Sequence, residues 1–408
     1  MTAPAAVDTL AAALGPDAVR TSDLAHYEID GRTPDCVVTP RSPEEVARAL
    51  AAAGAAGLAV IPVGGGTMLS WGNVPARYDL ALDLTALNRV VEYAPEDLTV
   101  TVEAGVRLAD LNARLAERRQ FLPFDPPEAA GATVGGVVAA NATGPSRHAY
   151  DAPRDRLIGV TAALTDGSLA KAGGRVVKNV AGYDLCKLYC GSMGTLGVIV
   201  LMTFKIAPLP RADVTWGAPF ASAAEAARAA FAATDRFLAL RSLEALSPAA
   251  AAQLGLERAW TLLARCSGGA AAVERSIAEL AKLAPGAAVD ADVWRRYAAL
   301  TADAPVVLRL STLPSRTTAL LEQLSDRTIA SATLAHGLVR VALEEDEPAL
   351  RGAVERDGAW TFERAPAGLK REMDIWGPLP PAFEVMRRLK REFDPAGTLS
   401  PGRFAGRL

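Results

Sequence analysis

The chain has 408 residues, half of them hydrophobic, and a net charge of −3. That length admits two or three domains with a sizeable core, and the near-neutral balance without any Lys/Arg run speaks against a nucleic-acid surface. No stretch reaches about 18 unbroken apolar residues and residues 1–8 lack a basic n-region, so neither a membrane span nor a signal peptide is expected and the chain reads as cytoplasmic.

In chain order, residues 3–14 form an alanine-rich helix, and Ser42-Pro43-Glu44-Glu45 opens a second one with an N-cap serine, a first-turn proline and a glutamate three residues on. Gly57 stops that helix, and the β-branched run 58–61 is a buried strand feeding Pro62-Val63-Gly64-Gly65-Gly66-Thr67-Met68. Three successive glycines permit positive φ and leave backbone N–H groups bare, the makings of an anion nest. Strands are expected over 80–84, 90–93 and 99–103, and an amphipathic helix over 108–119. A second glycine-rich segment, Gly131-Ala132-Thr133-Val134-Gly135-Gly136, continues to Asn141 and Gly144, with side chains small enough for close backbone approach. Thr165-Asp166-Gly167 turns a hairpin between 157–164 and 168–171. The third segment, Gly191-Ser192-Met193-Gly194-Thr195-Leu196-Gly197, runs into a strand over 198–206. Beyond Pro208 and Pro210 the pattern changes to strands and helices in β-α-β order, a ferredoxin-like layer without a visible repeat, followed by a helix over 381–392 and a tail punctuated by proline and glycine.

Several chemistries are excluded at the level of motif. None of the glycine segments is G-x-G-x-x-G at a strand-to-helix turn, and neither G-x-x-x-x-G-K-[ST] nor G-x-S-x-G occurs. The four cysteines, Cys36, Cys186, Cys190 and Cys266, form no C-x-x-C, and the three histidines, His26, His148 and His336, are scattered; no metal site is expected and the thiols read as reduced.

The order of the segments carries a resemblance. P-x-G-G-G-T after a strand, then G-A-T-x-G-G-x-x-A-x-N-x-x-G, then Y-D-L-x-x-L-x-x-G-S-x-G-T-L-G-V-I, closed by F-D-P-x-G-x-L-x-P-G-R, resembles the FAD-linked oxidases of the vanillyl-alcohol oxidase and p-cresol methylhydroxylase type, and among them the FAD-binding subunits of bacterial glycolate oxidases. The likeness covers residues 30–210 and 376–404. It implies an α+β fold: an N-terminal helical segment (1–29), a two-subdomain FAD-binding domain (30–210), a ferredoxin-like cap (211–375) and a tail returning to the FAD domain (376–408).

It also implies FAD bound by Val63, Gly64, Gly65, Gly66, Thr67 and Met68 around the pyrophosphate, by Ala132, Thr133, Gly135, Gly136, Asn141 and Gly144 from a second side, and by Gly194, Gly197, Val198 and Ile199 along the third segment. Many relatives attach FAD through a histidine in or near the first loop; Thr67 stands there, so FAD is expected to be non-covalent. Related 2-hydroxy-acid dehydrogenases carry H-x-G-D-G-N-x-H in the cap, whereas this chain reads Ala335-His336-Gly337-Leu338-Val339-Arg340, which leaves His336 as the sole, weak candidate for a catalytic base. The implied role is the FAD subunit of a multi-subunit glycolate dehydrogenase, working with a second flavin subunit and an iron–sulfur subunit on a small 2-hydroxy acid, and reaching the inner membrane through a partner. A self-sufficient FAD-dependent oxidase and a non-catalytic scaffold are the alternatives.

Overall fold

The computed structural model describes residues 3–174 and 183–408; Lys178, expected with Arg154 and Asp155 to form a buried ion pair that fixes a loop, lies outside the described residues. The first sheet has β1 (Val19–Arg20), β2 (Cys36–Val38), β3 (Val60–Val63) and β4 (Leu80–Asp83) in the order β1-β2-β4-β3, with β4 parallel to both β2 and β3. The helix Pro43–Ala55 makes the crossover between β2 and β3, and its Ser42 hydroxyl accepts from the Glu45 N–H as the sequence predicts. β3 begins two residues later than expected and runs directly into Gly64, so the strand aims the glycine loop without a spacer.

The second sheet is antiparallel: β5 (Val90–Ala94), β6 (Thr99–Glu103), β8 (Leu157–Ala163), β9 (Leu169–Gly173) and β10 (Val198–Lys205), ordered β5-β6-β10-β8-β9. A short pair, β7 (Gln120–Phe121) with β11 (Ala207–Pro208), flanks it. Between the two sheets lies the helix Val134–Ala140, formed by the second glycine segment and capped by Thr133, whose hydroxyl accepts from the Gly136 N–H at 3.3 Å. One apolar core joins both sheets to this helix through residues such as Val60, Leu80, Val102, Val138 and Val200, all essentially buried.

The remainder is one eight-stranded antiparallel sheet: β12 (Ala212–Phe220), β13 (Leu240–Leu246), β14 (Trp260–Gly268), β15 (Ala287–Val289), β16 (Val306–Ser311), β17 (Ile329–Thr333), β18 (Leu338–Leu343) and β19 (Ala359–Arg364), ordered β15-β12-β14-β13-β17-β18-β16-β19. Numbering strands within each half, both halves have the spatial order 4-1-3-2, the ferredoxin-like arrangement, and they join edge to edge where Ala245 and Leu246 face Ala332 and Ser331. The cap is therefore a structural duplication, which the sequence reading missed: β12 holds Gly217 and Pro219, residues that weaken a strand pattern.

Period-two alternation sorts this sheet into an apolar and a polar face. Leu243, Ala245, Leu262, Ala264, Leu308, Leu310, Ala330, Val339, Val341 and Phe362 enter the cap core. Glu244, Arg265, Arg309, Ser331, Arg340 and Glu363 occupy the intervening positions and so share the opposite face. That face meets the N-terminal half: Arg340 donates to the Thr143 carbonyl at 2.6 Å, and Arg241 donates to Ser146 at 3.0 Å.

The tail closes the molecule. After the helix Phe383–Phe393, Leu399 forms a parallel bridge with Val60, Val60 N–H donates to the Thr398 carbonyl at 2.8 Å, and Ser400 N–H donates to the Val60 carbonyl at 2.8 Å. Asp394 fixes the bend by accepting from the Thr398 and Leu399 N–H groups while it pairs with Lys390 at 2.6 Å. The tail thus lies beside the strand that carries the first glycine loop.

Candidate functional site

The three glycine segments converge on one cleft of about 820 Å³. The first loop supplies Ile61 through Leu69, the second segment Thr133, Gly135, Gly136, Ala139 and Ala140, the third Met193, Gly194, Gly197, Val198 and Ile199, and the tail Ser400 and Arg403. The glycines are required by contact as well as by conformation. A Cβ on Gly135 would lie 2.7 Å from the Ala104 Cβ, and one on Gly194, whose φ is +70°, would lie 2.7 Å from the Pro62 ring. A Cβ on Gly65 would run into the Gly131 carbonyl.

The polarity of the first loop is arranged from behind. Buried Arg403 donates to the carbonyls of Leu69, Trp71 and Asn73, and buried Lys370 donates to the Ser70 carbonyl at 2.6 Å and to Asp30 at 2.9 Å. Burial, partly offset by Asp30, pulls the Arg403 guanidinium down to about 10, still charged at neutral pH. With carbonyls engaged at the far end of the loop, the N–H groups of Gly64, Gly65, Gly66, Thr67 and Met68 donate to no protein acceptor among the described residues. Among the described residues Arg403 is the sole ionisable residue lining the cleft, and no carboxylate of theirs lines it. A concave run of free N–H groups, a nearby guanidinium and apolar walls suit a bulky, partly apolar dianion such as a dinucleotide.

Of the residues expected at the cofactor, Val63, Gly64, Gly65, Gly66, Thr67, Met68, Thr133, Gly135, Gly136, Gly194, Gly197, Val198 and Ile199 line this cleft. Three lie elsewhere. Ala132 is buried beneath it, its carbonyl accepting from the Leu108 N–H. Asn141 terminates the helix Val134–Ala140 at φ +47°, its side chain accepting from the Arg154 N–H at 3.4 Å. Gly144 packs on the Asp125 carbonyl at a second cavity. Ser400 and Arg403 were not anticipated, although the tail motif that contains them was recognised. Asp184 caps the helix Leu185–Tyr189, its side chain accepting from the Lys187 N–H at 3.4 Å. Trp376 donates to the Arg403 carbonyl at 2.9 Å and so backs the cleft.

The second cavity lies between the N-terminal half and the polar face of the cap. Asp125, Gly144 and Pro145 face Arg265, Tyr297, Ser331 and Arg340 across it. Its two guanidiniums are held by carboxylates from outside the lining. Arg340 pairs with Glu363 at 3.0 Å and Arg265 with Asp213 at 2.7 Å. Glu244, just beneath, accepts from Tyr297 at 2.8 Å and Thr333 at 2.7 Å, and burial outweighs both bonds to push its carboxyl up to about 7. Burial likewise raises the buried Asp125 carboxyl. This cavity can hold a small polar molecule next to the Tyr297 and Ser331 hydroxyls, with Glu244 bonded to Tyr297 but outside the lining. His336 lines neither cavity. Its ring meets that of His148 edge-on at 6.0 Å, and burial lowers both imidazoles, His148 to about 4.

The four cysteines are buried free thiols with raised pKa, and no group of three or more metal-ligating side chains is found among the described residues. No helix among them is long and apolar enough to cross a membrane.

Comparison with known proteins places this cleft within a class. Residues 34–173 match the FAD binding domain family, and residues 379–404 match the C-terminal domain of FAD linked oxidases. The chain therefore carries the FAD binding domain and the C-terminal element of FAD-linked oxidases, and the cofactor of that domain is FAD, as the motif order implies.

Among individual proteins, the chain is 35% identical over 182 residues to glycolate oxidase subunit GlcD of Bacillus subtilis (45% of this chain, 39% of that protein). It is 38% identical over 135 residues to glycolate oxidase subunit GlcE of Escherichia coli (33% and 39%). A D-lactate dehydrogenase [cytochrome] of Arabidopsis thaliana is 35% identical over 199 residues (49% and 35%). The matched stretch thus spans well under half of each relative's length. Over the whole fold, the structure of p-cresol methylhydroxylase with substrate bound aligns at a TM-score of 0.75 and 17% identity, covering 98% of this chain and 96% of that one. Alkyldihydroxyacetonephosphate synthase aligns at 0.71 and 17%, covering 99% and 86%. At these identities the likeness establishes the fold alone, an α+β architecture.

Proposed function

We propose that this chain is the FAD-binding subunit of a multi-subunit 2-hydroxy-acid dehydrogenase, with glycolate as substrate. In this reading residues 64–68 hold the FAD pyrophosphate through their free N–H groups, with Thr133, Gly135 and Gly136 opposite and Gly194, Gly197, Val198 and Ile199 along the third side. The observation that carries the reading is the cleft itself, completed by this chain's own four segments, free of carboxylates among the described residues and backed by Arg403. FAD would supply the hydride acceptor for CH–OH oxidation. The chain's residues would bind and orient it, and the polar face of the cap would cover it.

Support for a subunit role comes from the cap. A hydroxy-acid oxidation needs a base for the hydroxyl proton. Neither cavity is lined by a histidine, and the strand following the His336 turn carries Arg340, whose guanidinium is already paired with Glu363 on another strand. Resemblance to GlcD and GlcE supports a second flavin subunit as partner, and electrons would leave through an iron–sulfur subunit that brings the assembly to the cytoplasmic side of the inner membrane. In the test, purified chain loaded with FAD is mixed anaerobically with glycolate, alone and with its partner subunits. Flavin bleaching that requires the partners is the expected result; rapid bleaching by the chain alone would replace this reading with that of a self-sufficient oxidase.

A further inference from the structure

Of the buried side-chain hydroxyls without a hydrogen-bond partner among the described residues, Ser400 alone lines the cofactor cleft. It is 1% exposed, so water does not satisfy it from bulk. Its backbone is committed on both sides: its N–H donates to the Val60 carbonyl and its carbonyl accepts from the Arg403 N–H. Its φ is +44°, in the left-handed region that costs a side-chain-bearing residue energy and that glycine would occupy freely. A strained serine with an unpaired, buried hydroxyl destabilises the protein by itself. A site open to a ligand resolves the contradiction.

The surroundings agree. Ser400 Oγ lies 3.7 Å from where a Gly194 Cβ would be, and the same Gly194 abuts Pro62 at the root of the first loop. Ser400 therefore sits where the first segment, the third segment and the tail meet. We propose that the Ser400 hydroxyl is a direct hydrogen-bond ligand of FAD, so that the C-terminal tail is a fourth wall of the cofactor site and not only a brace for the first loop. The inference rests on the assignment of the cleft to FAD.

The test uses full-length apo protein, wild type, Ser400→Ala and Ser400→Gly, each titrated with FAD by flavin fluorescence, alongside the thermal midpoint of each apo form. Loss of a hydrogen bond to a ligand oxygen should weaken FAD binding roughly tenfold or more in both variants. The apo midpoint should not fall, because the hydroxyl has no protein partner, and in Ser400→Gly it should rise as the left-handed strain is relieved. Wild-type affinity in either variant would overturn the proposal. So would weaker binding accompanied by a lower apo midpoint in Ser400→Ala, which marks a structural role. Failure of the wild-type chain itself to bind FAD would instead overturn the assignment of the cleft, and this proposal with it.

Discussion

The two cavities are built on opposite principles. Among the described residues the cofactor cleft is made of backbone: glycines, free N–H groups and apolar side chains, with one guanidinium and no carboxylate. The interdomain cavity is made of side chains: Asp125, Arg265, Tyr297, Ser331 and Arg340, with Glu244 and Glu363 in the shell behind them. A backbone site is destroyed by adding atoms, whereas a side-chain site is destroyed by removing a partner. The cleft is accordingly ready for an anion, while the cavity's guanidiniums are already paired with carboxylates from outside its lining.

The largest effect expected is at Gly65. Gly65→Asp adds a Cβ where the Gly131 carbonyl stands and a negative charge beside the free N–H groups. It should abolish bound flavin, read as visible absorbance of the purified protein, and full occupancy in that variant would break the contrast between the sites. Glu363→Gln comes next. It leaves the buried guanidinium of Arg340 without its counter-charge, with Arg309 a further 3.6 Å neighbour of the same carboxylate. Breaking one partner of a buried pair costs about 3–5 kcal/mol, measurable by urea unfolding. A loss below about 1 kcal/mol would show that the cavity's charges are solvated rather than mutually held.

Two buried titrating groups on the cap side and beside it sharpen the comparison by pH. The Glu244 carboxyl is raised from its ordinary 4.5 to about 7, so between those values the folded protein binds more protons than the unfolded chain and stability falls as pH rises. His148 is lowered from 6.5 to about 4, so stability falls as pH drops through that window. The two slopes oppose each other between about pH 4.5 and 6.5 in the wild type. Glu244→Gln can still accept from Thr333, and it should abolish the loss of stability toward about pH 7. Urea midpoints at about pH 5 and about pH 8 will read this, and an unchanged difference between them would remove Glu244 from the account. The smallest effect is at Arg403: Arg403→Met frees the Leu69, Trp71 and Asn73 carbonyls and should weaken FAD binding roughly tenfold by loosening the loop. An unchanged FAD dissociation constant would show that the loop holds its shape unaided.

The contrast also explains what the sequence disclosed. Gly64-Gly65-Gly66 after a β-branched run and the capped start at Ser42 are local signals, and local physics decides them. The polar face of the cap was present as alternation in each strand, as in Val339-Arg340-Val341, but only the sheet order brings Glu244, Arg265, Ser331 and Arg340 to one surface. Ser400 and Arg403 reach the cleft through a parallel bridge between Val60 and Leu399, at opposite ends of the chain, for which no spacing rule exists. Asn141 and Gly144 lie in the second glycine segment, yet the helix Val134–Ala140 carries them past the cleft to its far end.

The central claim is that this cleft holds FAD through backbone contacts and without a covalent bond. His26, exposed, comes within 4 Å of a Cβ built on Gly66 but does not line the cleft. The direct measurement is the flavin content of the gently purified chain, before and after acid precipitation. The account predicts a yellow protein with about one FAD per chain, as in a single-site fold, released entirely into the acid supernatant. A protein that stays colourless with added FAD, or flavin retained in the pellet, would contradict it.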